Sequence, residues 1–333
     1  MSSSRVAVII VNWHSEEMLG RTLAALNRQT TPPTRVVVVD NGGSGDLPLA
    51  NYTAGPLVVM RMARNEGFAG GNNAAVREQA DCNWVALLNP DAAPREDWLE
   101  RLLAAAARHP EASAFGSRQL SAENADVVDG LGDVYHVSGA AWRDGHGCAS
   151  QPMSMECREI FAPCAAAALY KREVFLGAGG FDEDFFCYME DVDLGFRLRL
   201  LGHVAMLVPE AVVYHVGGGT SGGRRSDFAV YHGQRNLVWV YVKNMPAPCI
   251  RRYLGQHLLF NIVSLLYFLA RGQGGVAFRA KWHALKGLGA MLAKRRFVQA
   301  DVCVPVERVR AAMAEGWCLP YRRRRPIDLG GAP

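Results

Sequence analysis

The chain has 333 residues, half of them hydrophobic and a fifth charged, a globular composition with room for one large domain and an appendage or for two ordinary domains. A formal net charge of +4 is too small to argue for a nucleic-acid partner, although basic residues crowd the C-terminal third and end in Arg322-Arg323-Arg324-Arg325. Eight cysteines are scattered without a C-x-x-C pair or a Cys/His zinc spacing, so neither a disulfide framework nor a zinc site is indicated.

The N-terminus shows no signal-peptide architecture, and the expectation is a reduced, cytoplasmic protein. Val6 to Val11 is a β-branched run that predicts the first buried strand. Ser15 with Glu16 and Glu17 predicts a capped, acidic start to a helix running to about Arg28. Val36 to Val39 predicts a second strand, ending in Asp40-Asn41-Gly42-Gly43-Ser44-Gly45-Asp46. Leu57 to Met62 predicts a third, followed by the glycine-rich stretch Asn65-Glu66-Gly67-Phe68-Ala69-Gly70-Gly71-Asn72-Asn73 as a loop and a helix from Ala74. Trp84 to Leu88 predicts a fourth, ended by the turn Asn89-Pro90-Asp91 ahead of a helix from Arg95 to Arg108. Strands alternating with helices at this spacing mean a doubly wound, mostly parallel sheet, in which ligands collect beyond the carboxyl ends of the strands. No dinucleotide fingerprint follows the first strand, where Asn12-Trp13-His14 stands instead, which counts against a nicotinamide or flavin enzyme.

Residues 113–154 read as hairpins and loops, Phe161 to Tyr170 as a strand, and Lys171 to Phe175 as a short helix. An acidic and aromatic loop, Gly179 to Phe186, leads to Glu190 and Asp191 at the N-terminus of a helix reading on to Leu198. Val204 to Val208 predicts another strand, and Val212 to His215 leads into the loop Gly217 to Ser221. From Phe228 the pattern changes to long helices. Tyr253 to Ala270 is almost wholly apolar, with Gln256, His257, Asn261 and Ser264 as one narrow polar stripe. Its wide apolar face must be covered, by the preceding α/β part, by a second subunit, or by the acyl boundary of a bilayer. The flanking Arg251, Arg252 and Arg271 favour peripheral binding to an anionic membrane surface over a homo-oligomer interface.

The motifs Val36-Val37-Val38-Val39-Asp40-Asn41, Asn65 to Asn73, Leu88-Asn89-Pro90-Asp91 and Met189-Glu190-Asp191-Val192-Asp193-Leu194 occur in that order and are followed by His215. Over roughly residues 5 to 225 the chain closely resembles the family 2 inverting glycosyltransferases of GT-A fold, in particular their rhamnosyltransferase-like branch. The resemblance implies a catalytic part over 1–226, with a donor half to about 112 and an acceptor half from 113, and a helical region over 227–333.

Each motif fits that chemistry, beside a plainer reading. Asp40 at a strand end accepts hydrogen bonds from a nucleobase or ribose, or merely caps a turn. Glycines in the Asn65 to Asn73 stretch allow close backbone approach, and the following helix offers N–H groups to a diphosphate; many such stretches are only flexible turns. Asn89-Pro90-Asp91 stands where the family has a D-x-D metal motif, with an amide in place of the first carboxylate; Asp91 still suits Mg²⁺ or Mn²⁺. His215 is a second metal ligand by resemblance, and its imidazole favours Mn²⁺. Inverting transfer needs a carboxylate base; the resemblance puts it at Asp191, with Glu190 turned to the acceptor or to the structure, while both also suit a helix dipole. Asp193 and Arg197 read as an i,i+4 ion pair. By resemblance the donor nucleotide-sugar is held by Asp40, Asn41, Asn65, Gly67, Gly70, Gly71, Asn72 and Asn89, dTDP-L-rhamnose leading and UDP-sugars as rivals. The acceptor is a saccharide or a lipid-linked glycan of cell-surface polysaccharide synthesis. A sugar nucleotidyltransferase would want a G-x-G-T-R-type loop after the first strand, and none is present. A catalytically silent membrane subunit that binds glycan or partners is the rival from another class.

Overall fold

The computed structural model describes residues 4–43, 45–150, 156–217 and 226–318. Ser44, the loop residues Gly218 to Ser221 and the arginine run Arg322 to Arg325 lie outside the described residues. The first half comprises β1 (Val6–Asn12), α1 (Glu16–Leu26), β2 (Arg35–Asn41), β3 (Leu57–Met62), α2 (Gly67–Arg77), β4 (Trp84–Leu88), β5 (Ala92–Pro94) and α3 (Trp98–Arg108). It continues with β6 (Ala112–Ser121), β7 (Val128–Gly130), β8 (Asp133–Tyr135), β9 (Ala141–Arg143), β10 (Arg158–Ile160) and β11 (Ala167–Lys171). After α4 (Arg172–Gly177), α5 (Glu190–Leu200) and β12 (Val204–His215), the chain becomes helical: α6 (Asp227–Asn244), α7 (Ala247–Ala270), α8 (Gly274–Lys286), α9 (Leu288–Ala300) and α10 (Val306–Ala311).

One sheet runs β10-β12-β6-β11-β4-β1-β2-β3, with β5 paired to β12 and β7 to β6. β3, β2, β1 and β4 are mutually parallel, β11 enters antiparallel between β4 and β6, and β12 runs parallel to β6. The apolar runs are continuous because both faces are covered. Val8, Ile10, Val36, Val38, Ala86 and Leu88 pack under α1 and α3, while Ile9, Val11, Val37, Val39, Val85 and Leu87 pack under α2, α4 and α5.

Several boundaries depart from expectation. α2 begins at Gly67, not Ala74, so the glycine-rich stretch is the first half of a helix rather than a loop. Gly67 supplies the positive φ of +74° at its start, and a Cβ at Gly71 would come within 2.9 Å of Val11. Close packing on the sheet overrides the low helix propensity of glycine here. Ser15 makes no capping hydrogen bond; its hydroxyl donates to the Trp13 carbonyl. α3 starts three residues after Arg95, whose guanidinium is taken up by Asp97 and the Glu210 carbonyl. The strand expected from Phe161 starts only at Ala167, since Pro163 interrupts the run. Ala112 to Ser121 forms one long inner strand, at the start of the stretch read as hairpins and loops from 113; Ser113, Ser117 and Gln119 are buried on it, which hides any apolar alternation. β12 is one strand across Pro209 and Glu210, with an irregularity in its pairing between Val208 and Val212.

The helical region shares a core with the sheet-bearing part. Tyr135, Phe161, Phe185 and Phe196 pack with Trp239, Tyr241, Met245 and Met291 in one buried cluster. A charged seam runs beneath it: Lys243 of α6, 2% exposed, lies 2.7 Å from both Asp182 and Asp193. Asp193 also accepts from Asn244 at 2.8 Å and from Arg197 of its own helix at 2.8 Å. The expected Asp193–Arg197 pair is therefore present, as part of a larger network. On α7 the polar stripe is turned inward against the protein and the apolar face outward, so the sheet-bearing part does not cover it.

Candidate active site

The carboxyl ends of β1, β2 and β4 open on a cleft of about 320 Å³, lined also by the N-terminal turns of α2, α5 and α6. At its floor, the turn Asn89-Pro90-Asp91 leads into β5, whose antiparallel register with the end of β12 sets Ala92 opposite His215. His215 Nε2 lies 3.3 Å from Asp91 Oδ1 and 3.4 Å from Asn89 Nδ2. Its Nδ1 is 2.8 Å from Asp129 Oδ2, and Asp129 in turn accepts from Arg143 at 2.6 Å. With Nδ1–H donating to Asp129, a neutral ring turns its Nε2 lone pair to Asp91 and Asn89. Burial alone would lower the pKa of His215, but the Asp129 and Asp91 carboxylates outweigh it and raise it above the ordinary value. Asn89 Oδ1 is buried without a hydrogen-bond partner among the described residues. A carboxylate, an imidazole oriented by a second carboxylate and an unused amide oxygen form a donor set that fits Mg²⁺ or Mn²⁺.

The expected donor residues divide. Asn41, Asn65 and Gly67 line the cleft. Asn41 ties the end of β2 to the start of α2, donating to Asn65 Oδ1 at 2.9 Å and to the Gly67 carbonyl at 3.0 Å while accepting from Glu66 N at 3.0 Å. Asn65 Oδ1 also accepts from Gly67 N at 2.8 Å, holding the helix N-terminus at the cleft. Gly70, Gly71 and Asn72 instead lie inside α2: Gly71 abuts Val11, Gly70 abuts Glu66, and Asn72 donates to the Phe68 carbonyl. Asp40 is not among the lining residues; it pairs with Arg61 at 2.9 Å and accepts from Gly43 N at 3.1 Å.

Glu190 and Asp191 open α5 at the other side of the cleft. Asp191 accepts from Val192 N at 2.8 Å and Ala165 N at 3.2 Å. Burial raises its pKa, while the Ala165 N–H and the Arg143 guanidinium pull back against that rise. Burial, then the Asp191 charge, pushes Glu190 well above the ordinary carboxylate range, and its Oε2 has no hydrogen-bond partner among the described residues. The two carboxylates thus differ: backbone N–H groups and Arg143 oppose the rise at Asp191, while the neighbouring Asp191 charge adds to burial at Glu190. Asp133 and Cys164 stand with Asp191, one ligand-type atom of each within 4.8 Å of the others. Burial pushes the Cys164 thiol up to about 12.

The segment before α5 is strained. Phe186, Tyr188 and Met189 have φ of 64°, 67° and 70°, a region costly for residues with a Cβ. Two neighbours clamp it. From α2, Ala69 N donates to the Phe186 carbonyl at 3.2 Å, and a Cβ on Gly67 would sit 2.3 Å from that oxygen. From α6, the fully buried Asn236 amide donates to the carbonyls of Phe185, Cys187 and Tyr188 at 2.9, 3.0 and 2.7 Å. Asp129, Arg143, Asp133, Cys164 and Asn236 were not legible in the sequence, because they lie on short strands, in a loop or on a helix face without a motif. Of the aromatic loop, Phe181 and Phe185 are core, while Phe186 and Tyr188 line the cleft beside Phe228.

Comparison with known proteins gives the family and the fold. The family described as "Glycosyl transferase family 2" matches residues 7–176. The N-acetylglucosaminyl-diphospho-decaprenol L-rhamnosyltransferase of Mycobacterium tuberculosis is 30% identical over 247 residues, 68% of this chain and 80% of that protein. The O-antigen biosynthesis protein RfbC of Myxococcus xanthus is 28% identical over 235 residues, 67% of this chain but 18% of the other. Among solved structures, a mannosyltransferase of Pyrobaculum calidifontis in complex with GDP-Man and Mn²⁺ superposes with a TM-score of 0.54 at 17% identity, over 92% of this chain and 85% of that one. GalNAc-T7 with UDP, GalNAc and Mn²⁺ does so with a TM-score of 0.58 at 15% identity, over 76% and 49%. The chain belongs to glycosyl transferase family 2 and has the GT-A fold of that enzyme class.

Proposed function

We propose that the protein is an inverting glycosyltransferase that moves L-rhamnose from dTDP-L-rhamnose to a lipid-linked saccharide, on the cytoplasmic side, in cell-surface polysaccharide synthesis. One observation carries the reading: a cation-type pair, Asp91 and His215, and a carboxylate pair at a helix N-terminus, Glu190 and Asp191, converge on one cleft. The likeness to a rhamnosyltransferase named for a diphospho-decaprenol-linked acceptor supports this choice of donor and acceptor.

In this reading Asp191 takes the proton of the acceptor hydroxyl as that oxygen attacks the anomeric carbon. The new C–O bond forms opposite the breaking bond to the diphosphate, and the configuration inverts. Ala165 N–H and Arg143 direct the Asp191 carboxylate and favour its charged form. Glu190, whose pKa burial and the Asp191 charge raise, faces the acceptor. Asn41, Asn65 and the start of α2 receive the donor. Asp91 and His215 would hold the divalent cation, which compensates the charge released on the leaving diphosphate. Asp129 orients His215 for that role.

A thermal-shift panel of dTDP, UDP and GDP with and without Mn²⁺ tests the donor, because a ligand stabilises in proportion to its affinity. The largest shift is expected for dTDP with Mn²⁺. A larger response to UDP transfers the donor assignment to a UDP-sugar. No nucleotide response together with no donor hydrolysis overturns the catalytic reading and leaves a glycan-binding subunit.

A further inference from the structure

We propose that the outer face of α7 and α8 docks on an anionic lipid bilayer, with α7 lying in the plane of the membrane surface. α7 is inverted for a helix in water. His257 Nδ1 bonds the Ser138 carbonyl at 2.8 Å and its ring stacks on Tyr241 at 3.7 Å. The Tyr253 hydroxyl donates to Glu315 at 3.0 Å, and Ser264 Oγ donates to Gln234 at 2.7 Å. On the opposite side Leu258, Ile262, Leu266 and Leu269 recur at helical spacing and are 54%, 57%, 58% and 63% exposed. α8 packs beside α7 and carries Phe278, Trp282 and Leu285, each at least half exposed. An apolar surface of this extent marks an interaction site. α7 is long and apolar enough to cross a bilayer. Its polar contacts with the protein, however, run from Tyr253 to Ser264 and tie it along the body, which suits an interfacial pose rather than a span.

Charge selects the occupant. From Phe228 to Ala300 the sequence contains eleven Lys and Arg and no Asp or Glu. Arg251 and Arg252 are exposed at the start of α7, Arg271 just past its end, and Lys286 at the end of α8. Arg271 and Lys286 lie 5.4 and 5.3 Å over the rings of Tyr267 and Trp282, both at least half exposed, a pairing of cation and amphipathic ring that suits the headgroup level. A second copy meeting this face about a twofold axis would set one basic rim against another. An anionic leaflet complements both the apolar centre and the cations.

α6 links this face to the chemistry. Phe228 and Gly233 line the cleft, while Tyr231 and Gln234 from the same turns bond His283 of α8 and Ser264 of α7. Cleft and docking face are separated by one helix, about 10 Å, a reach suited to an acceptor whose sugar enters the cleft while its lipid stays in the bilayer.

The test is flotation of the full chain with vesicles of phosphatidylglycerol and phosphatidylcholine, and of phosphatidylcholine alone. Binding to the anionic vesicles that weakens with salt is expected, falling about fivefold for each of Arg251→Ala and Arg252→Ala. Ile262→Glu with Leu266→Glu should abolish it, and donor hydrolysis should stay at the wild-type rate because neither residue lines the cleft. Indifference of the wild-type protein to anionic vesicles at low salt overturns the proposal. So does a dimer that the Ile262→Glu, Leu266→Glu pair dissociates, since the face would then belong to a second copy. Vesicle binding by a protein that hydrolyses no donor sustains the docking and removes the catalytic reading instead.

Discussion

Asn236 is the positioning residue whose removal should separate folding from catalysis. Its amide has two N–H donors, shared among three carbonyls of the segment that carries three left-handed residues into α5. Asn236→Leu keeps the approximate volume and removes both donors. Each buried carbonyl left without a partner costs about 1–3 kcal/mol, and each left-handed residue stores about 1–3 kcal/mol that relaxation can release. With the amide's two N–H donors lost, at about 1–1.5 kcal/mol net each, a penalty of about 2–3 kcal/mol is expected. If the segment relaxes, that free energy appears as displacement of Glu190 and Asp191. At about 1.4 kcal/mol per tenfold this predicts a fall in kcat of about 30- to 140-fold. Nucleotide affinity should change little, because Asn41 and Asn65 are anchored from β2 and α2. The assays are steady-state transfer, nucleotide titration and thermal melting on one preparation. A lowered melting temperature with unchanged kcat would refute the reasoning, reducing Asn236 to a structural residue.

Asp191→Asn should lower transfer by about 10²–10⁴ with nucleotide binding retained; near-normal turnover, with loss in Glu190→Gln instead, would reverse the assignment within the pair. The base must be charged and its pKa is raised by burial, so activity should fall as pH drops through a value above that of an ordinary aspartate. Arg143→Met removes a cation that lowers it, and the acid limb should move to higher pH. Asp91→Ala or chelation should abolish transfer, and Asp129→Asn should weaken metal affinity about 10- to 100-fold through the His215 ring; full activity in excess EDTA contradicts both. Asp182, held at about 2 against burial by Lys243 and Lys294, stabilises the fold above the unfolded carboxylate pKa and loses that contribution as pH falls towards 2. Asp182→Asn should therefore cost about 2 kcal/mol near neutrality and little at pH 2 in urea unfolding; equal losses at both pH values would exclude the ionic explanation.

The sheet was legible because its strands are buried on both faces. In β1, β2 and β4 every residue of the run is apolar, and structure only had to allot Val36 and Val38 to one face and Val37 and Val39 to the other. Strand ends were equally plain, so Asn41, Asn89, Asp91 and His215 were found where the sequence placed them. β6 was not legible, since Ser117 accepts from Trp98 Nε1 at 2.8 Å and such partners leave no periodic trace. The start of α2 was missed because its glycines serve packing against Val11 and Phe186, and propensity alone reads them as loop.

Chemistry-bearing motifs name the groups that react, while the groups that hold them come from distant segments. Asp129 lies 86 residues from His215, and Asn236 lies 48 residues from Tyr188. Neither separation can be read from local pattern, and neither residue needs neighbours of a particular type. The same limit governs α7. Periodicity establishes that His257, Asn261 and Ser264 share one stripe and that Leu258, Ile262 and Leu266 share another. It cannot tell which stripe faces inward, because that depends on partners elsewhere: the Ser138 carbonyl, the Tyr241 ring and Gln234. Once those partners take up the polar stripe, the leucine face is left outward beside a stretch without a single acid, and the physical question changes from what covers the helix within the protein to what the protein itself rests on.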